Sequence, residues 1–425
     1  MTKGTSNTST NKWFVAVIAL LGISAGMAAL PLYTMSLFLG PLNESFGWRV
    51  EDAALATTFL YGGLFIGAPV LGLMADRLGA RPVILVSTIW TILMLFMISQ
   101  SRDRIAEFYA MFFLLGLGGA GTTTVTYARV ITALFDAQRG LALGIMIAGG
   151  SFAAIVCAPV IEHMMAEYGW RTAYIAEAAW PLAPLILVWL FLRMPAAMTR
   201  KEIPAVENQE FSPDSGAGWG IIKTGPFWTL AIANFSQAIV VSSIIIFILP
   251  VLTEQGLPRS DAVRVISVIG IGALIGRISA GYFLDRFRAN RIAFVLMFLG
   301  AVALLGLVGG FNPYASVFVL GVCFGSEGDV IAYFVGRFFR LEVFSRVYGL
   351  TYAFAIGGLA SGPLVMRLLK PEMMAYSEFL SLVSVPLLSV SALLFLRLGK
   401  YPMLDLLTPS GGSRTDDCAS DAAGA

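Results

Sequence analysis

The stretch "GLMADRLGARP", Gly72 to Pro82, sets Asp76, Arg77 and Arg81 between two long apolar runs. Charges packed around glycines between greasy segments read as a turn at a membrane surface. Further along, "GYFLDRFRANR", Gly281 to Arg291, repeats the arrangement. A shift of 209 residues lays Asp52 on Asp261, Gly63 on Gly272, Gly67 on Gly276, Gly72 on Gly281, Asp76 on Asp285 and Arg77 on Arg286. The chain reads as a duplication, and what surrounds the two copies decides the fold.

Those surroundings are apolar. The 425 residues are 57% hydrophobic and 13% charged, with mean hydropathy +0.80. A soluble domain is about 45–50% apolar and about 25% charged, so this is an integral membrane protein. The net charge of +2 is spread without a basic domain and gives no sign of nucleic-acid binding, so no nucleic-acid partner is expected. Cys157, Cys323 and Cys418 lie far apart, with neither a disulfide framework nor metal-ligand spacing. His163 is the only histidine and reads as an interfacial residue; no metal or cofactor is expected. The polar "MTKGTSNTSTNK" leads into an apolar run too long for a signal-peptide core, so the first span is retained.

Apolar runs long enough to cross a bilayer occur at 13–38, 52–74, 83–100, 107–134, 140–163, 172–193, 226–251, 262–284, 292–311, 314–337, 347–368 and 375–397. Twelve spans put both termini on one side. The short loops of that side hold 18 of the 28 Lys and Arg residues and the other side holds 8, so the termini are read as cytoplasmic. Arg129 and Arg277 remain, both inside spans. The polar stretch 194–225 divides six spans from six. The organisation is therefore a tail at 1–12, a six-helix bundle at 13–193, a central cytoplasmic loop at 194–225, a second bundle at 226–397 and a disordered cytoplasmic tail at 398–425. Duplicated halves are a secondary-transporter signature, with substrate near the midplane between them.

Gly72-x-x-x-Asp76-Arg77-x-Gly79-x-Arg81, echoed as Gly281-x-x-x-Asp285-Arg286-x-Arg288, resembles the loop signature of the major facilitator superfamily. The resemblance covers residues 13 to 397 and implies an all-α membrane fold of twelve helices in two pseudo-symmetric halves. It also implies that Gly72, Asp76, Arg77, Gly79, Arg81, Asp285 and Arg286 form a cytoplasmic gate. Charge-assisted bonds at helix ends suit a latch that is made and broken, although Arg77 and Arg81 also satisfy the positive-inside rule. Within the superfamily, "GPLNESFGW" at 40–48, "RGLALGIMIAGGSF" at 139–152, "YGWR" at 168–171 and "GRISAGYFLDR" at 276–286 resemble the branch of monocarboxylate transporters and the oxalate–formate antiporter.

Arg277 stands eight residues from Asp285, about 12 Å inside the span at 1.5 Å per residue. An intramembrane guanidinium marks a functional site or a structural ion pair, and its planar fork suits a carboxylate. In the resembling branch the arginine here binds the substrate carboxylate. The chain departs from that branch elsewhere. Ala273 stands where proton-coupled members carry Asp, residues 13–38 hold no charge, and Ala355 stands where the oxalate carrier has lysine. One cation favours a monoanion over a dianion. Glu327 and Asp329 in span 10 are the candidate proton-coupling groups. On an ideal helix they point about 200° apart, so one is expected to pair with Arg277 or Arg129 while the other carries the proton; both could equally be structural partners.

Arg129, which ends "GTTTVTYAR", stands open between substrate contact and inter-helix pairing, and Tyr127 beside it is a second cavity candidate. Asn234 and Gln237, one turn apart on span 7, suit a cavity lining or helix packing. Gly63-x-x-x-Gly67, Gly140-x-x-x-Gly144 and Gly272-x-x-x-Gly276 read as seams for close helix approach.

The resulting expectation is a monomeric secondary transporter in a plasma (bacterial inner) membrane, moving a small organic monocarboxylate, with protons. No nucleotide-binding loop is present, and no nucleophile–base pair suggests an enzyme. The rivals are a drug or metabolite exporter on the same fold, against which "APVIEH" at 158–163 replaces the drug antiporters' GP-x-x-GG, and a transport-inactive sensor, for which the polar segments are short.

Overall fold

The computed structural model describes residues 9–135, 138–192, 221–339 and 341–399, with side chains from residue 12 onward except at 221, 285 and 341–345. Most of the central loop at 194–225 and nearly all of the tail at 398–425 lie outside the described residues, as does the side chain of Asp285.

The described chain is helical, with no strand in it. Ten helices are long and apolar enough to cross a membrane. One of these, Arg139–Phe191, covers two crossings because it bends at Gly169 (φ 82°). Span 1 is a further crossing, broken into Ser9–Ser24 and Leu30–Phe46. Twelve spans result. The others are span 2, Val50–Leu78; span 3, Ala80–Ser99; span 4, Ile105–Gly119 and Thr124–Leu134; span 7, Gly225–Glu254; span 8, Arg259–Arg286; span 9, Ala289–Val308; span 10, Pro313–Gly325 and Glu327–Phe338; span 11, Leu341–Leu369; and span 12, Tyr376–Leu398. Prolines stand in the first turns of the Leu30, Gly225 and Pro313 helices, where the missing N–H is one the helix leaves unpaired anyway. Asn312 caps the last of these by accepting from the Tyr314 and Ala315 N–H groups at 3.0 and 3.3 Å.

The opening turn is shorter than its sequence suggests. The span 2 helix runs to Leu78, and Gly79 alone, at φ 89°, turns the chain into span 3. A side chain is strained at that φ, which accounts for the glycine. Likewise "GPLNESF" is helical up to Gly47 (φ 69°) rather than a loop after span 1.

Two of the three glycine seams are real. A Cβ on Gly63 or Gly67 would lie 2.1 or 2.2 Å from the Phe113 or Leu117 carbonyl oxygen of span 4. On Gly272 or Gly276 it would lie 2.4 or 2.1 Å from the Phe318 or Val322 oxygen of span 10. Gly116 and Gly321 answer from the opposite helices, against Leu60 and Ile269. The duplication is thus visible as one close-packed pair, span 2 on span 4, repeated as span 8 on span 10. Gly140 and Gly144 have nothing within 4 Å of such a Cβ, so that seam is not formed. Gly276→Val is expected to abolish the folded protein, since backbone there cannot retreat and overpacking costs about 1–3 kcal/mol even where it can. Gly72→Val, in open space, is expected to leave a monodisperse peak and a nearly unchanged Tm.

The halves meet unevenly. Span 2 packs on span 11, the second helix of span 1 on span 7, and the middle and far part of span 5 on span 8. The terminus-side helices of spans 4, 5 and 10 find their main partners within their own half. The molecule is therefore closed at the end away from the termini, here the far end, and parted toward the terminus end. Span 7 is enclosed nearly all round, with 89% of its most apolar window buried. The remaining spans turn residues such as Val86, Leu93 and Ile278 outward.

Candidate functional site

Where the halves meet, spans 8 and 10 bring Arg277, Glu327 and Asp329 together. The seam sets their depth. Gly325 is so close to span 8 that a Cβ on it would lie 2.0 Å from the Ala273 oxygen. One turn on from that contact stand Arg277 on span 8 and Asp329 on span 10. Span 10 breaks at Ser326, and its second helix starts at Glu327 with both acids in its first turn. Helix N-termini present unpaired N–H groups and a partial positive charge that favour carboxylates. Span 4 is interrupted at the corresponding level, with a short turn over Ala120–Thr122 before Thr124. There the first half carries threonines where the second carries acids.

Both acids lie within electrostatic range of Arg277, so their opposition on an ideal helix does not divide them. The expected ion pair with an arginine is nevertheless not formed. Among the described residues Arg277 has no carboxylate within 4 Å, and its Nε is buried without a hydrogen-bond partner. Asp329 Oδ2 is likewise buried and unpartnered. A buried polar atom left unpaired costs about 1–3 kcal/mol, so unpaired groups gathered at one interface point to a ligand.

Four tyrosines complete the surroundings, and sequence reasoning did not single them out. Tyr33 of span 1 and Tyr348 of span 11 lie within range of both Arg277 and Glu327. Tyr352, one turn beyond Tyr348 and stacked on it at 6.5 Å, lies within range of Glu327. Tyr61 of span 2 neighbours Tyr33 and Tyr352, and its hydroxyl is buried without a partner. The i, i+4 spacing of Tyr348 and Tyr352 was the available signal.

Other candidates are placed elsewhere. Arg129 does not turn to the central cluster: it donates to Asp76 at 2.5 Å and to the Gly72 oxygen at 3.1 Å. Of its two open roles the structure shows inter-helix pairing, which anchors span 4 to the Gly72–Pro82 turn. Tyr127 is buried in an apolar cluster against span 1, its hydroxyl where a Gly22 Cβ would stand. Asn234 donates to the Thr351 oxygen at 3.0 Å, joining spans 7 and 11. Gln237 is buried, with an unpartnered Nε2. His163 is exposed.

At the terminus end three of the gate residues, Asp76, Arg81 and Arg286, bond within their own halves. Asp76 holds Arg129, Arg81 donates to the Trp189 oxygen at 2.7 Å, and Arg286 bonds to the Tyr282 hydroxyl beneath it. At the far end polar bonds cross between halves. Asp52 holds Arg367, and Glu51 takes the Tyr376 hydroxyl at 2.9 Å with Lys370 at 3.5 Å. Arg259 grips both oxygens of Glu162 at 2.6 and 3.0 Å and reaches the Leu37 oxygen at 2.7 Å. Ser36 accepts from the Leu249 N–H at 3.1 Å, and Thr58 donates to the Ala360 oxygen at 2.7 Å. A cavity of about 450 Å³ lies over this cluster, lined by Arg49, Glu51, Glu254, Lys370, Glu372 and Tyr376. Most of these charges already answer one another, so the cavity belongs to the closure and not to the Arg277 site.

Pairs whose arginine is partly exposed, as in Asp52–Arg367 and Glu162–Arg259, contribute up to about 1 kcal/mol each. Breaking two of them, with Asp52→Asn and Arg259→Ala together, is expected to shift the balance on the order of tenfold toward a conformation open at the far end. A cysteine at Thr58, half-buried against Ala360, reports this as faster labelling by a hydrophilic thiol reagent.

Two membrane-embedded halves that clasp at one end and part at the other, around a polar cluster at mid-depth, define a carrier. The comparisons agree. The Major Facilitator Superfamily profile matches residues 12–363, and the chain belongs to that family. It is a membrane transporter of a small-molecule substrate, not an enzyme. It is 25% identical to an agnestins efflux protein of Paecilomyces divaricatus, over 84% of this chain and 79% of that one. It is 25% identical to the 3-(3-hydroxy-phenyl)propionate transporter of Escherichia coli, over 84% and 87%, and to monocarboxylate transporter 11 of Mus musculus, over 64% and 59%. A crystal structure of a D-xylose–proton symporter superposes with a TM-score of 0.74 at 14% identity, covering 92% of this chain and 98% of that one, which establishes the shared fold.

Proposed function

We propose that the protein moves a small organic monocarboxylate by alternating access, together with a proton, the two six-helix bundles at 13–193 and 226–397 rocking about the Arg277 site. The observation that carries this is Arg277: a mid-membrane guanidinium with a buried, unpaired Nε. A carboxylate is the ligand its fork fits best. The names of the propionate and monocarboxylate relatives support the same class.

The neighbouring acids supply the coupling. With Glu327 and Asp329 both ionised, the cluster they form with Arg277 carries a net negative charge and repels an anion. A like charge about 6 Å away costs about 3 kcal/mol at an effective dielectric near 20. The proton taken up by the one of them that titrates removes one such repulsion, so proton and anion favour each other's binding reciprocally. The tyrosines present hydroxyls and ring faces to the rest of the substrate. With the termini cytoplasmic, the present conformation opens inward, and the gate of Gly72, Asp76, Arg77, Gly79, Arg81, Asp285 and Arg286 closes it in the other.

The rival, an exporter of drugs or metabolites, draws on the efflux name of one relative; with both acids protonated the cluster is left with the Arg277 charge alone, which selects against cationic drugs. Proteoliposomes test the reading. An inward proton gradient should drive accumulation of a radiolabelled monocarboxylate from an aliphatic and aromatic panel, and collapsing the gradient should stop it. Accumulation of cationic drugs alone would reject it.

A further inference from the structure

Glu177 of span 6 has no part in the site above. Its side chain has no exposure at all. Oε1 lies 2.8 Å from the Thr34 hydroxyl of span 1, and Oε2 is buried with no partner. Among the described residues no cation stands within ion-pair distance of it. Every element packed on this helix agrees with that. The π-helical turn Ala153–Cys157 of span 5 offers the Cys157 thiol, and Glu177's own helix offers the Tyr174 hydroxyl, itself unpartnered. Span 1 offers Thr34, while its Tyr33 lies in range of Arg277. The charge of span 3 is Arg81, at the terminus end, and Arg259 of span 8 is held by Glu162. The helix that follows, Leu182–Phe191, has no titratable residue.

Burial without a counter-charge favours the protonated form of Glu177. Thr34 Oγ1 lies 2.9 Å from the Leu30 carbonyl oxygen as well as 2.8 Å from Glu177 Oε1. A hydroxyl has one proton to give. Thr34 therefore gives that proton to Glu177 Oε1 or shares it with the Leu30 oxygen, and in either case Oε2 stays unbonded. An ionised Glu177 would thus be a fully buried charge with one hydroxyl for company and, among the described residues, no cation, a cost that a bound proton removes.

We infer that Glu177 is a proton-binding site of the first half, occupied in this conformation and emptied when the far end opens. The surroundings link it to the motion. Thr34 and Ser36 lie on opposite faces of one helix, Thr34 toward Glu177 and Ser36 on Leu249 of the other half. The π turn beside Glu177 packs on span 8, where a Gly270 Cβ would lie 2.8 to 2.9 Å from Ile155 and Ala154 side chains. Glu177 is thus one layer behind the seam, and withdrawal of spans 7 and 8 admits water to it. Ionisation is then no longer opposed by burial. The inference rests on the carrier fold and not on the identity of the substrate.

Infrared spectroscopy of the full-length protein, in a detergent without ester groups, tests it without substrate. At neutral pH the carbonyl stretch of a buried carboxylic acid is expected in the wild type and lost in Glu177→Gln, a variant that keeps shape and the Thr34 contact. The Asp52→Asn/Arg259→Ala protein should lose the same band at a pH lower by up to about one unit, the most that a tenfold shift of the conformational balance transmits to proton affinity. An acid band undiminished by Glu177→Gln would overturn the proton site. A band lost at the same pH with and without the far-end bonds would overturn its tie to the conformation.

Discussion

Arg277→Ala is expected to weaken binding of the carboxylate substrate roughly a hundredfold while leaving the protein folded. Truncating one partner of a buried, hydrogen-bonded charge pair costs about 2–5 kcal/mol, and a hundredfold is about 2.8 kcal/mol. The fold should survive because Arg277 holds no ion pair among the described residues, and the Gly272 and Gly276 seam beside it depends on backbone contacts. Arg277→Lys should recover part of the affinity, since an ammonium keeps the charge and loses the planar fork. Equilibrium binding of a radiolabelled monocarboxylate to purified protein separates the three proteins. Wild-type affinity in Arg277→Ala would show that the guanidinium does not touch substrate.

The second large effect falls on the acids. Glu327→Gln and Asp329→Asn each remove one negative charge beside Arg277 and mimic a protonated state. The variant at the coupling position is expected to bind the anion as tightly at high pH as the wild type does at low pH. It should exchange substrate across the membrane yet fail to accumulate it against a gradient. The other variant should keep the pH response. Proteoliposome counterflow, compared with uptake driven by a proton gradient, distinguishes the two behaviours. Undiminished proton-driven accumulation in both variants would remove the coupling role from this pair.

The architecture was legible because membrane burial leaves a coarse imprint. Twelve apolar runs and the 209-residue echo suffice for the halves, and close glycine spacing marked the two seams that form. The helix breaks were not legible. Ser24–Ala29, Gly119–Thr123 and Ser326 each lie inside a run long enough to read as one continuous span, and tertiary partners such as the Thr122 hydroxyl, which receives the Met27 N–H at 3.1 Å, stabilise the interruption.

The site divided along the same line. Arg277, Glu327 and Asp329 announced themselves as charges in greasy surroundings, and the structure gathers them. Whether an arginine pairs or stands free depends on what lies across the helix interface: Arg129 meets Asp76, and Arg277 meets no acid within 4 Å among the described residues. Tyr33, Tyr61, Tyr348 and Tyr352 come from three spans and share no local pattern beyond one i, i+4 pair. Glu177 was within reach of the rule that flags intramembrane acids, and its meaning came only with Thr34 from another helix.

The central claim is that Arg277 binds a carboxylate, and ligand-induced thermal stabilisation tests it most directly. Purified wild type and Arg277→Ala would each be melted with a panel of monocarboxylates and the matching neutral amides. A ligand at about 100 times its Kd stabilises the folded state by about 2.7 kcal/mol. The account predicts a raised Tm for at least one acid with the wild type, none for its amide, and none for either with Arg277→Ala. Equal stabilisation by acid and amide, or stabilisation that survives in Arg277→Ala, would contradict it.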